Sequence, residues 1–156
     1  MKEREYYEDY EVGDLFQSPG RTITETDIIL FSALTGDWHE LHTNIEFARK
    51  SVFRERIAHG WLILCIGNSL LFRLGDNVLF PKSFIAFYGI EKLRFTHPVR
   101  IGDTIHCEAK VIKMEAKDLD KGLLTYEVKI NNQHDQLVTI MIAKIIAGRR
   151  IRTSNL

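Results

Sequence analysis

The sequence predicts an α+β fold in which an antiparallel β-sheet wraps around a long buried central helix. Three observations carry this. From Gly60 to Leu74 the chain is apolar on nearly every helical face, through Trp61, Leu62, Ile63, Leu64, Cys65, Ile66, Leu70, Leu71, Phe72 and Leu74. A helix hydrophobic all round is a buried helix. After Pro81 the hydrophobic period switches to two, the signature of half-solvated strands. Only short turns separate these strands, so the crossover helices of a parallel βαβ repeat have no room.

The elements follow in order. Gly13-Asp14 and Ser18-Pro19-Gly20 are turn signals. Thr24, with Asp27 three positions on, forms a capping box that opens a helix, and Ile28, Phe31, Ser32 and Leu34 to Thr35 keep its apolar stripe. Gly36 stops that helix, which places Asp37 just past its end. Asn44 to Lys50 suits a short second helix, and Ser51 to Ile57 is charged and irregular. A strand runs from Phe84 to Phe95. Ile105, Cys107, Ala109 and Val111 alternate with polar neighbours in the next, and Leu124, Tyr126, Val128 and Ile130 in a third. The final strand, Val138 to Ala147, is apolar on both faces, as suits a sheet centre or an oligomer interface.

Composition narrows the function classes. The 156 residues fit one domain, 1–156. Acidic and basic residues balance at 21 each, so no net field points to a nucleic-acid or membrane-surface partner. The charged, aromatic start MKEREYYEDYEVGD does not read as a secretory signal, and no apolar stretch reaches the length of a membrane span. A soluble, cytoplasmic protein is expected. Cys65 and Cys107 each lie in an apolar run without CxxC or CxxH spacing, so both are expected to be buried, reduced thiols.

The chemistry concentrates in "LTGDWHELH", residues 34–42, which sets Asp37, His39, Glu40 and His42 around a glycine. Asp37 and His42 are five apart, so they converge only by way of a loop. If they do, a carboxylate and an imidazole can hold one water between them and move its protons. The same residues also suit structural roles, Asp37 as a turn partner after Gly36 and His42 as a partly buried loop histidine. An H-x-x-H metal site through His39 and His42 lacks a fourth ligand and a fixed geometry, and no metal is expected. Ala58-His59-Gly60 precedes the apolar helix, so the N–H groups of Gly60 and Trp61 lie at its N-terminus, suited to an oxyanion on a thioester carbonyl. His59 suits the turn into that helix. Lys92, Arg94 and Arg100 could reach phosphates or simply line a solvent face, and the Arg149-Arg150-Ile151-Arg152 tail reads as solvated.

The run from Phe31 to His42, with Ala48 six positions on, resembles the hydratase-2 motif of the MaoC-like, R-specific enoyl-CoA hydratases. "YEDYEVGD", "RTITETDI", "IAHGWL" and "KLRFTHPVRIGDTI" are similar to further segments of that family. The resemblance implies a hot-dog fold, an acyl-CoA substrate, no separate cofactor because coenzyme A is part of the substrate, and a homodimer. It implies catalytic roles for Asp37 and His42, with the Gly60 amide polarising the thioester carbonyl, and it sets Trp38, His59 and Trp61 against the substrate. The reaction it implies is reversible syn addition of water across a trans-2-enoyl-CoA, giving an (R)-3-hydroxyacyl-CoA. A hot-dog acyl-CoA thioesterase and a non-catalytic acyl-CoA-binding or regulatory protein are the alternative readings. The chain has His39-Glu40 where the family commonly has Asn-Pro, and Trp61 where many members have Met. Trp61 predicts a preference for short or branched acyl chains.

Overall fold

The computed structural model of the chain describes residues 4–73 and 79–150. Near its start two short strands, β1 (Leu15–Gln17) and β2 (Arg21–Thr22), flank the Ser18-Pro19-Gly20 turn. Both add to one later strand. At three and two residues they are too short to carry a readable period, so the sequence marks only the turns around them.

Helix α1 (Glu25–Thr35) begins at the expected capping box. Thr24 Oγ1 accepts the Asp27 N–H at 3.3 Å, and the Asp27 carboxylate accepts the Thr24 N–H at 2.8 Å. It ends at Gly36, whose φ of 79° is the left-handed conformation that a glycine adopts at little cost. A one-turn helix, α2 (Glu40–Thr43), leads into α3 (Ile45–Lys50), where the Asn44 side chain accepts the N–H groups of Glu46 and Phe47.

The expected central helix is α4 (Gly60–Leu70), continued by one 3₁₀ turn, Leu71–Arg73; the predicted end at Leu74 lies outside the described residues. Four long strands follow: β3 (Phe84–Phe95), β4 (Thr104–Ala116), β5 (Lys121–Asn131) and β6 (Leu137–Gly148). All pairings are antiparallel in the order β1-β4-β5-β6-β3, with β2 alongside β4. The predicted alternation holds: Ile105, Cys107, Ala109 and Val111 of β4 and Leu124, Tyr126, Val128 and Ile130 of β5 are all buried. They form one core with Leu62, Ile63, Leu64 and Leu70 of α4. The helix lies so close to the sheet that a Cβ at Gly67 would overlap the Ile130 side chain. The last strand, β6, occupies the interior of the sheet that its two apolar faces suggested.

Three expectations are corrected. Helix α4 is not buried all round in the single chain: the sheet covers one side only, and Trp61, Cys65 and Ser69, spaced by four along the helix, stay exposed. Cys65 is therefore an exposed thiol, whereas Cys107 is fully buried and its thiol pKa is pushed up to about 12 by burial; both are free. The tail read as solvated is tied down at its start: half-buried Arg149 pairs with Glu8 at 3.0 Å, while Arg150 pairs with Asp9 at 2.8 Å and stays exposed. Residues 151–156 lie outside the described residues.

One edge of the sheet is β3, where Lys92 has φ 55° and the pairing with β6 shifts register three times. Lys92 and Arg94 are nevertheless exposed on either side of half-buried Leu93, as the solvent-face reading expects. Phe84, Ile85, Phe87, Tyr88, Ile90 and Phe95 are exposed along this edge. Among the described residues no helix is long and apolar enough to cross a membrane.

Candidate active site

Two short elements bring Asp37 and His42 together. Leaving α1, the chain turns at Gly36, and the Asp37 carboxylate accepts the His39 N–H at 3.2 Å, tightening the loop. One turn of α2 then presents His42 from its last-turn position. Its Nδ1 lies 2.8 Å from the Ile57 carbonyl oxygen. A carbonyl only accepts, so Nδ1 carries the proton and Nε2 keeps a free lone pair in the neutral ring. A nitrogen of His42 and a carboxylate oxygen of Asp37 lie within 4.8 Å of each other, the span of one bridging water.

His39 and Glu40 prove to be structural. His39 is the N-cap of α2, with Nδ1 accepting the Leu41 N–H at 3.1 Å. Glu40 takes the first helical position, where proline is also well tolerated, and its carboxylate accepts from the Asn44 amide at 2.8 Å. Cap plus first-turn residue is the same local job that Asn-Pro performs.

His59 is buried between Asp37 and His42 and touches both. Its Nε2 lies 3.1 Å from the Asp37 carbonyl oxygen, 3.4 Å from Ser32 Oγ and 4.0 Å from the Asp37 carboxylate. Its ring stacks on that of His42, centroids 3.8 Å apart at 29°. Burial is the largest cause holding its pKa below the ordinary histidine value. Asp37, His42 and His59 bring three metal-ligand types within 4.8 Å. Yet His59 Nε2 and His42 Nδ1 are spent on carbonyls, leaving two well-placed donors where a catalytic zinc takes three.

Helix α4 begins directly after His59 and has no side-chain cap at that end. Its first N–H groups, from Gly60 onward, lack partners within the helix and carry the positive end of its dipole. A Cβ on Gly60 would stand 3.0 Å from the Phe95 ring, so the glycine keeps the space between backbone and ring open. A cavity of about 350 Å³ opens at this point, lined by His42 and Gly60 and walled by Phe53, Phe95, Val138 and Thr139, among others.

The cavity thus unites two of the predicted catalytic residues, His42 and Gly60; Asp37 stands beside them, its side chain 46% exposed. Trp38, His59 and Trp61 do not line it. Trp61 touches the wall indirectly, edge-on to Phe95 with centroids 6.0 Å apart. Sequence reasoning missed the walls, Phe53, Val138 and Thr139, because residues so distant in the chain show no shared pattern. His97 also lines the cavity while its Nδ1 bonds the Leu137 carbonyl oxygen. Arg100, a candidate phosphate ligand, is paired with Glu55 at 2.5 Å.

An antiparallel sheet packed on a helix that starts beside an Asp/His pair defines the class. A family model described as a MaoC like domain matches residues 11–133. The chain belongs to the MaoC-like dehydratase family, and its fold is the hot-dog fold. It is 38% identical over 123 residues to protein MaoC of Klebsiella aerogenes, covering 76% of this chain and 35% of that protein. It is 39% identical over 100 residues to an (R)-specific enoyl-CoA hydratase of Rhodospirillum rubrum, covering 64% of this chain and 65% of that one. The chain thus spans about a third of the first relative and just under two thirds of the second. Among solved structures, a monoamine oxidase regulatory protein from Archaeoglobus superposes with a TM-score of 0.88 at 36% identity, covering 96% of this chain and 97% of that one.

Proposed function

We propose that the chain is a hydro-lyase that adds water reversibly across the double bond of a 2-enoyl-CoA thioester to give an (R)-3-hydroxyacyl-CoA. The observation that carries the reading is the convergence of the His42 and Asp37 donor atoms within 4.8 Å, next to an uncapped helix start. The thioester carbonyl docks on the Gly60 amide, which draws electrons from the conjugated double bond and makes the β-carbon electrophilic. Water held between His42 Nε2 and the Asp37 carboxylate attacks that carbon. The enolate then collapses as its α-carbon takes up the proton that water released, on the same face. Relatives named as hydratases and dehydratases support this chemistry, and His39 caps α2 at the position where the family commonly has asparagine, which keeps His42 presented toward the cavity.

A panel of 2-enoyl-CoAs of graded length tests the reading. Enoyl absorbance should fall without release of free CoA thiol; thiol release without hydration would instead make the protein a thioesterase. Trp61→Ala should shift the chain-length preference toward longer acyl groups through the Phe95 wall, and an unchanged profile across the panel would remove Trp61 from specificity.

The functional unit is proposed to be a homodimer. An edge strand with six exposed large apolar residues and an α4 face that the sheet leaves open are surfaces a second copy would cover. In sedimentation, the parent should run as a dimer and Ile90→Asp, on β3, should shift it toward monomer; a monomeric parent would refute this assembly.

A further inference from the structure

We propose that His59 is a positioning residue, which clamps the Asp37 backbone and the His42 ring into the one geometry that grips the water. This rests on the hydratase reading above but goes beyond it, since His59 reaches neither the cavity nor the reacting atoms.

The two ring nitrogens of His59 have different surroundings. Nε2 faces the Asp37 carbonyl oxygen at 3.1 Å, and a carbonyl can only accept, so the proton sits on Nε2. Nδ1 is buried and has no hydrogen-bond partner. A second proton there would create a buried N–H without an acceptor, so the ring stays neutral. The ionisable groups that face it are Asp37 and His42. The His59 Nε2–H donates to the Asp37 carbonyl oxygen and fixes the residue from which the carboxylate projects. Its flat face lies on the His42 ring, while Phe31 packs against it at 5.0 Å. His42 is therefore held at Nδ1 by Ile57 and across its face by His59, which leaves Nε2 one direction to point.

A purely structural role predicts a different residue. Burying an imidazole with an unsatisfied nitrogen costs stability that a phenyl ring of similar shape would not. Phenylalanine would fill the space and keep the stack, yet lose the N–H. His59→Phe should therefore melt at or above the parent temperature while kcat falls about 100-fold, the scale of a 1 Å misplacement, with KM little changed. His59→Gln, whose amide can reach with an N–H from the Nε2 position, should recover most of kcat, and the acid limb of the kcat profile should move in His59→Phe alone.

Two arms keep this separate from the hydratase reading. If the parent hydrates enoyl-CoA and Asp37→Asn is dead, a fully active His59→Phe overturns the positioning role and leaves the reaction standing. If the parent turns over no enoyl-CoA, histidine ¹⁵N resonances decide instead. His59 should show the Nε2–H tautomer and His42 the Nδ1–H tautomer, and His59→Phe should change the His42 titration or its tautomer balance. His42 signals identical in parent and His59→Phe overturn the proposal.

Discussion

Asp37→Asn and His42→Gln should each lower kcat for hydration by about 10²- to 10⁴-fold, the range that general acid–base groups typically contribute. Both side chains lie outside the core, Asp37 substantially exposed and His42 partly so, which predicts small changes in melting temperature. Binding should survive, because neither change alters the helix start or the apolar wall; acyl-CoA should still raise the melting temperature of both variants. The double variant should be scarcely worse than either single one, since two groups that hold one water act as a unit. A sum of the two effects on a logarithmic scale would mean that they serve separate steps.

Gly60→Ala should be the next most damaging change, with kcat/KM lowered about 100-fold. The added Cβ meets the Phe95 ring at 3.0 to 3.1 Å, tighter than ordinary contact, so either the ring shifts into the cavity or the helix start recedes. The first narrows the acyl channel and the second moves the amide from the carbonyl. Helix propensity works the other way, since alanine favours a helix over glycine. The variant should therefore remain as stable as the parent, and a loss of activity that tracked a loss of fold would point to the wrong mechanism.

The long elements were legible because periodicity reports directly on burial. Thr24, Asp27 and Gly36 specify α1 through hydrogen bonds among near neighbours, β4 and β5 announce themselves by alternation, and β6 by its two apolar faces. What the sequence could not show was which apolar surface meets which. The run around Trp61 and Cys65 has the same composition whether its outer face meets a sheet, a second chain or water. Asp37, His42 and Gly60 stand out by their chemistry and acquire roles through the family motif, and the structure adds that Asp37 meets His42 and that His42 and Gly60 share a cavity. The His59 network was hidden because its bonds run to a main-chain carbonyl and to Ser32, 22 and 27 positions away. The cavity wall was hidden for the same reason, its residues coming from two strands and a loop.

The His39 cap has a consequence for how substitutions in this loop translate into behaviour. Asparagine accepts a hydrogen bond through an amide oxygen on a short side chain, whereas His39 accepts through Nδ1 of a ring. That ring stands edge-on to Phe47 and to His42, with centroids 5.9 and 6.1 Å away. Replacing Asn-Pro with His-Glu thus leaves the turn alone while adding an aromatic surface behind the His42 imidazole. The cap, chosen for where a helix starts, also becomes part of what backs the ring that helix carries.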